Sequence, residues 1–330
     1  MPVSSPIPVS SPIPRATPLQ AADGLCLTLI GTPLGDADLA AVAAMLETDG
    51  WRRQEERWLS LPGAARACVE WRIAGGTGAL ALRERLRHVC DGRGLDSALQ
   101  ADELLRGHRR LIVFDMDSTL VEAEVIDELA RAAGTWERVS RITERAMRGE
   151  LAFAESFRER LATLRGLPES CLPGIAESLR VAPGAPVLVA TLRAAGYRSA
   201  IVSGGFEFFA RRLAAELGID AVFANTLDIA DAAVTGEARG NIIDAQRKAE
   251  LLQQLAAETG VALEQVIAVG DGANDLPMLG CAGLGVAYRA KPVVRAAAAQ
   301  AINHTGLDSI LFLLGIPERH WIGADSASDI

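Results

Sequence analysis

The 330-residue chain is short of cysteine, histidine and aromatic side chains, carries no excess of basic charge, and has no long apolar run. Each shortage excludes something. Lys and Arg number 33 against 42 Asp and Glu, a formal net charge of −9. A nucleic-acid binder needs a basic stripe to neutralise phosphates, so that class of partner is set aside. No apolar stretch approaches the roughly 20 residues of a membrane span, and no basic segment followed by an apolar run opens the chain. Neither membrane insertion nor secretion is therefore expected, and the cytoplasm is the expected compartment. Cys26, Cys68, Cys90, Cys171 and Cys281 are scattered and odd in number. They form no Cys-x-x-Cys pair and read as thiols of a reducing compartment, neither a disulfide framework nor a zinc site. His88, His108, His304 and His320 show no paired spacing and receive no role. With aromatics at 5%, Ala, Leu and Val must fill most of the core. What is there, 49% hydrophobic and 23% charged residues, matches a globular protein, and the length leaves room for two domains.

Residues 1–20 contain a tandem copy, Val-Ser-Ser-Pro-Ile-Pro at 3–8 and 9–14. Proline fixes φ and removes donors while serine adds little apolar surface, so a disordered tail is expected. Residues 21–104 read as a small unit of their own. An apolar run at 25–30 is strand-like, a turn with Gly31, Pro33 and Gly35 follows, and Asp36 is placed to cap a helix through Leu39, Val42, Met45 and Leu46. Extended segments at 51–61 and 67–73, an amphipathic helix with Leu80, Leu82, Leu86 and Val89, and a last extended piece at 95–99 complete the order β-α-β-β-α-β. That is the order of a ferredoxin-like α+β sandwich.

From 105 to 330 the pattern changes to short apolar strands alternating with helices, at 111–114, 198–202, 221–223, 266–269 and 284–287. Such alternation predicts an α/β domain with a parallel sheet covered on both faces, whose ligands bind outside the carboxyl ends of the strands. Asp115-Met116-Asp117-Ser118-Thr119-Leu120 follows the first of these strands, Ser203-Gly204-Gly205 the second, and Gly270-Asp271-Gly272-Ala273-Asn274-Asp275 the fourth. Lys248 falls on a helix expected over 244–257. Taken singly, an Asp-x-Asp is usually a turn or cap, a Ser-Gly-Gly a loop, and one lysine a solvated charge. Register changes this reading, because every cluster sits at one edge of one sheet. Three carboxylates there suit a hard, oxygen-ligated cation, and Mg²⁺ fits best because it also binds phosphate. The glycines let backbone N–H groups approach an anion.

The order DMDSTL, SGG, Lys248, GDGAND resembles the four signature motifs of haloacid-dehalogenase superfamily phosphatases. VEAEVIDELA, RITERAMRGELAFAESFRERL and YRSAIVSGGF further resemble the phosphoserine phosphatases of that superfamily, over about residues 110–310. Dehalogenases lack the second Asp, at the position of Asp117. The resemblance implies a Rossmann-like core, with a helical cap at about 122–182, hydrolysing phosphoserine in the last step of serine biosynthesis. It implies Asp115 as nucleophile and Asp117 as general acid and base. Mg²⁺ would be held by Asp115, Asp271 and the backbone carbonyl of Asp117, with Asp275 and Asn274 in support. Ser203, Gly204 and Lys248 would take the phosphoryl oxygens. Glu124 would take the substrate ammonium, Arg160 its carboxylate, and Met147 and Phe153 would face the substrate from the cap.

The first unit resembles, on element order and position, the regulatory ACT domains that precede some of these enzymes. That resemblance implies an amino-acid effector and a sheet edge for a homodimer; alternatively, the unit simply covers an apolar surface of the core. The stretch 227–240 reads as a β flap beside the site. Turnover of another small phosphomonoester, or a catalytically silent amino-acid sensor, are the competing functions.

Overall fold

The computed structural model describes residues 24–101 and 108–324. The tail expected at 1–20 and the boundary expected at 104/105 lie outside the described residues. No described helix is long and apolar enough to cross a membrane.

The first unit runs β1 (Leu25–Gly31), α1 (Asp36–Thr48), β2 (Arg52–Trp58), β3 (Ala67–Ala74), α2 (Ala79–Asp91), β4 (Asp96–Ala101). Its strands lie in the order β2-β3-β1-β4 and every pairing is antiparallel, which is ferredoxin-like topology. Alternation along the strands sorts the side chains. Leu25, Leu27 and Leu29 join Val69, Trp71 and Ile73 beneath α1 and α2, while Ile30, Cys68 and Ala98 enter the main core. With both faces of β1 buried, its sequence is apolar at nearly every position, Thr28 excepted, rather than alternating. The cap of α1 differs from expectation. Gly35 holds the N-cap position, and Asp38 reaches back to accept its N–H at 3.1 Å, leaving Asp36 as the first helical residue.

The second unit contains β5 (Leu111–Phe114), then α3 (Val125–Ala132), α4 (Trp136–Met147), α5 (Phe153–Ala162) and α6 (Leu172–Ser178). After these come α7 (Ala185–Ala194), β6 (Arg198–Phe206), α8 (Glu207–Leu217), β7 (Ala221–Ala230) and β8 (Ala233–Arg239). The chain continues through α9 (Ala245–Thr259), β9 (Val266–Gly270), α10 (Leu276–Cys281), β10 (Leu284–Tyr288), α11 (Pro292–Ala297), β11 (Gln300–Ile302) and α12 (Ser309–Leu313). The strand order is β11-β10-β9-β5-β6-β7-β8, parallel except for the β7–β8 hairpin. From β5 the chain adds β6 and β7 on one side, then returns to add β9, β10 and β11 on the other. The switch point therefore lies between β5 and β9, where this architecture binds ligands.

Helices α3 to α6 stand over that edge as the expected cap. Its two linkers meet: Val121 bridges Val181, and Glu122 N–H donates to Arg180 O at 2.9 Å. The flap is the β7–β8 hairpin, tied to the cap by Gly166 N–H to Val234 O at 2.8 Å and Val234 N–H to Leu167 O at 2.9 Å.

The two units share one sheet. Ser97 of β4 pairs with Ala301 of β11, and Gln300 makes two bonds to the backbone of Leu99, at 2.7 and 3.1 Å. Buried Asp96 accepts from the N–H of Asn303 and Thr305 and from Thr305 Oγ1, at 2.6 to 3.0 Å. Ile30, Leu59, Cys68 and Ala98 belong to the same apolar cluster as Leu311 and Phe312 of α12. The first unit thus covers an apolar flank of the second.

Candidate active site

Three apolar strands and one helix deliver the polar groups. Asp115 follows β5 directly; its N–H donates to Val269 O at 2.9 Å, fixing it beside β9. Asp271, Asn274 and Asp275 follow β9 on a short 3-10 turn. Lys248 lies one turn into α9, whose N-cap Asp244 accepts the Arg247 N–H at 2.9 Å. The Ser-Gly-Gly segment, expected as a loop, continues β6 through a bulge between Val202 and Phe206, with Ser203 Oγ accepting the Gly205 N–H at 2.8 Å.

Lys248 is the hub. Its Nζ lies 2.9 Å from Asp115 Oδ1 and 2.7 Å from Asp275 Oδ1, and it is 1% exposed. Burial disfavours the ammonium, yet the two carboxylates outweigh it and hold Lys248 above the ordinary lysine range. Asp275 is fully buried and committed: Oδ1 faces Lys248, and Oδ2 accepts the N–H groups of Asp271 and Gly272 at 3.1 and 2.9 Å. Asp115 is pushed up to about 8, first by burial, then by the negative charge of Asp275 acting against Lys248. Asp271 is pushed up to about 7, again by burial first and Asp275 second, while Thr119 Oγ1 donates to its Oδ1 at 3.1 Å.

Asp115, Asp271 and Asp275 each offer an oxygen within 4.8 Å of the others. Their charges exceed that of Lys248 by two, and Oδ2 of Asp115 and Oδ2 of Asp271 accept no hydrogen bond from the described residues. A divalent, oxygen-seeking cation fits that imbalance and that donor set. The Asp117 carboxylate stands outside this group. Its Oδ1 accepts the Val125 N–H at 3.1 Å. Burial, then Glu124, then Asp115 hold its carboxyl well above the usual range. Ser118 carries the turn with φ of 56°, a left-handed conformation uncommon outside glycine, and donates to Glu124 Oε1 at 2.8 Å.

The cap residues divide. Glu124 is the N-cap of α3, and its charge acts on Asp117, Asp271 and Arg160. Arg160 is held below its usual range by burial, against the pull of Glu124, Asp127 and Asp117, and its buried Nε has no hydrogen-bond partner. Phe153 leans over Ser-Gly-Gly, its Cζ 3.4 Å from where a Cβ on Gly204 would stand. Met147 is not brought in: it ends α4 at 65% exposure.

Asn225 was not singled out in the sequence. It is 2% exposed on β7, opposite the β6 bulge; Nδ2 donates to Gly204 O at 2.8 Å, and Oδ1 accepts the Ile243 N–H at 2.8 Å. One amide thus ties the Ser-Gly-Gly segment to the start of the helix carrying Lys248. A polar residue inside the apolar run Ala221 to Leu227 was the available signal.

These features define a hydrolase site on a doubly wound sheet, and the chain belongs to the haloacid dehalogenase-like hydrolases, whose family profile matches residues 112–280. Within that family it is similar to a phosphoserine phosphatase of Archaeoglobus fulgidus, 46% identical over 74% of this chain and 71% of that one. A phosphoserine phosphatase of Streptomyces coelicolor is 42% identical over 92% of this chain and 73% of its own. Among solved structures, a hydrolase of the family from Salmonella enterica superposes with TM-score 0.78 at 32% identity, covering 88% of this chain and 98% of that one.

Proposed function

We propose that the protein hydrolyses O-phospho-L-serine to serine and phosphate through an aspartyl-phosphate on Asp115, as the last step of serine biosynthesis. The observation that carries this reading is the buried Lys248 bridging Asp115 and Asp275 at the switch point, beside a second, separately held carboxyl at Asp117. A carboxylate oxygen of Asp115 attacks phosphorus while Asp117, whose carboxyl is held well above the usual range by burial and the Glu124 charge, gives its proton to the departing seryl oxygen. Asp117 then takes a proton from the water that attacks the phosphorus, and the Asp115–phosphate bond breaks. Ser203, the Gly204 N–H and Lys248 bind the phosphoryl oxygens where charge develops.

Asp115, Asp271 and the Asp117 carbonyl would hold Mg²⁺, with Asn274 and Asp275 in support. The bound ion supplies charge neutralisation that lets a phosphate dianion approach carboxylates. Glu124 takes the substrate ammonium and Arg160 its carboxylate, with Phe153 facing the substrate from the cap. The test is phosphate release from phosphoserine and a panel of other phosphomonoesters, with and without Mg²⁺, for wild type and Asp115→Asn. Near-normal turnover by pure Asp115→Asn removes the mechanism; equal turnover of the panel removes the substrate. The ACT-like reading of the first unit, with an amino-acid effector and a homodimer through β2 at the sheet end, stands on element order alone, and a cytoplasmic location on composition.

A further inference from the structure

A cleft lies where the two units meet, between α2 of the first and the α11–β11 segment of the second. The cleft is narrow, with a cavity volume of about 30 Å³, and it opens to solvent. Arg83 and Arg87, one turn apart on α2, line it together with Arg295 of α11. Two carboxylates also line it, but both are engaged. Asp96 is saturated by the backbone of 303–305 and the Thr305 hydroxyl. Asp91 pairs with Arg295 at 3.3 Å.

Arg83 and Arg87 have no carboxylate within ion-pair distance among the described residues. The Arg83 guanidinium has only the Leu99 carbonyl, at 3.4 Å, and its buried Nε has no partner; the Arg295 Nε is likewise unpartnered. Arg87 reaches only the Arg295 carbonyl, at 3.2 Å. Burial alone pulls Arg83 below its usual range, with no carboxylate opposing it. A guanidinium removed from water without a counter-charge is costly, and forked N–H donors match a carboxylate.

We infer that this junction cleft is a binding site for a small carboxylate monoanion, held by Arg83 and Arg87 and separate from the phosphatase centre. Three guanidinium groups against two carboxylates leave a single positive charge in the cleft, which matches a monoanion rather than a phosphate dianion. An occupant touches both units at once, so binding ties the first unit to the core. The site is independent of the substrate assignment and does not require catalysis to be detected.

The experiment uses the full chain, free of divalent metal, and follows thermal unfolding as sodium acetate replaces sodium chloride at constant ionic strength. Wild type is expected to gain melting temperature saturably with acetate. Arg83→Met is expected to melt about 1–3 °C higher than wild type in chloride, because an unpaired buried cation has gone. It should bind acetate at least about tenfold more weakly, the scale of one charge-assisted bond. Arg83→Lys, which keeps the charge without the fork, should be intermediate in affinity. An equal response to acetate and chloride in wild type, or an undiminished acetate response in Arg83→Met, overturns the inference.

Discussion

Replacing Lys248 by Met tests how the site is held together. The side chains are similar in length, so what is removed is the ammonium at 2.7 Å from Asp275 and 2.9 Å from Asp115. Three carboxylates within 4.8 Å of one another then remain without their cation. Removing one partner of a buried pair typically costs about 3–5 kcal/mol. The cost depends on pH in a direction the geometry fixes. In the wild type Lys248 is held above its ordinary pKa of about 10.4, so its contribution is complete, and flat, between pH 5 and 8. Asp115 is already pushed up to about 8, and without the ammonium it rises further. A carboxyl whose folded pKa is raised stabilises the fold while protonated and loses that contribution as pH rises through the folded value. Metal-free wild type should therefore lose stability from pH 5 to 8, through Asp271 at about 7 and Asp115 at about 8. The variant should go on losing stability above pH 8, because each further tenfold weakening of Asp115 as an acid extends its loss by about 1.4 kcal/mol beyond the wild-type value of about 8. Urea unfolding with a chelator present, at pH 6 and pH 9, measures the gap on either side of the wild-type Asp115 titration, with Lys248 charged at both. The gap between the proteins should reach about 3–5 kcal/mol at pH 9 and be smaller at pH 6 by about 1.4 kcal/mol for each tenfold weakening of Asp115, and Mg²⁺ should restore more stability to the variant than to wild type. A gap below about 1 kcal/mol at pH 9, or one equal at both pH values, refutes the reasoning.

Arg160→Ala should lower kcat/KM for phosphoserine by about 10- to 150-fold, the scale of one charge-assisted bond, and spare a phosphomonoester lacking a carboxylate; equal losses would mean that Arg160 acts through cap stability. Asn225→Ala should cost about 1–3 kcal/mol in urea unfolding by orphaning a buried carbonyl and N–H. It should also weaken inorganic phosphate as a product inhibitor, and unchanged phosphate inhibition would confine Asn225 to stability. A chain starting at Ala101 keeps every proposed catalytic group but uncovers the flank of α12 and the edge of β11, so it should retain Mg²⁺-dependent turnover with a lower melting temperature and poorer solubility. A folded, soluble truncation without activity would relocate part of the site.

Much of the site was legible because its chemistry is local in sequence. A strand of four apolar residues ends at Phe114, so Asp115 and Asp117 fall at a sheet edge; the same logic places Asp271 after β9. Strand β11 was not legible, since Gln300–Ile302 is too short to show a period, and with it went the joining of the two sheets. Lys248 and Asn225 differ in a similar way. The lysine has a motif order to place it. The asparagine acts through two backbone groups, Gly204 O and Ile243 N, whose proximity depends on the fold. Met147 and Phe153 read alike as apolar cap positions, yet only Phe153 leans on the Ser-Gly-Gly segment.

The glycines of the motifs show what the sequence reading left out. An opening for an anion to reach a backbone N–H group is the role proposed for Gly204, where a Cβ would meet nothing nearer than 3.4 Å. Gly205 and Gly270 answer to a different constraint. A Cβ on Gly205 would lie 2.5 Å from Asp117 Oδ2, and one on Gly270 would lie 2.5 Å from the Asp275 carboxyl carbon. Neither site has the positive φ that would itself demand glycine. Their missing side chains make room for the enzyme's own carboxylates. Asp275 can then lie flat against β9 with both oxygens bonded, and Asp117 can turn toward the Val125 N–H and away from the Asp115 cluster. That separation lets two aspartates only two residues apart take different environments, one bonded to Lys248 and one to a helix N–H. The division of labour proposed for Asp115 and Asp117 therefore rests on two glycines as much as on the aspartates themselves.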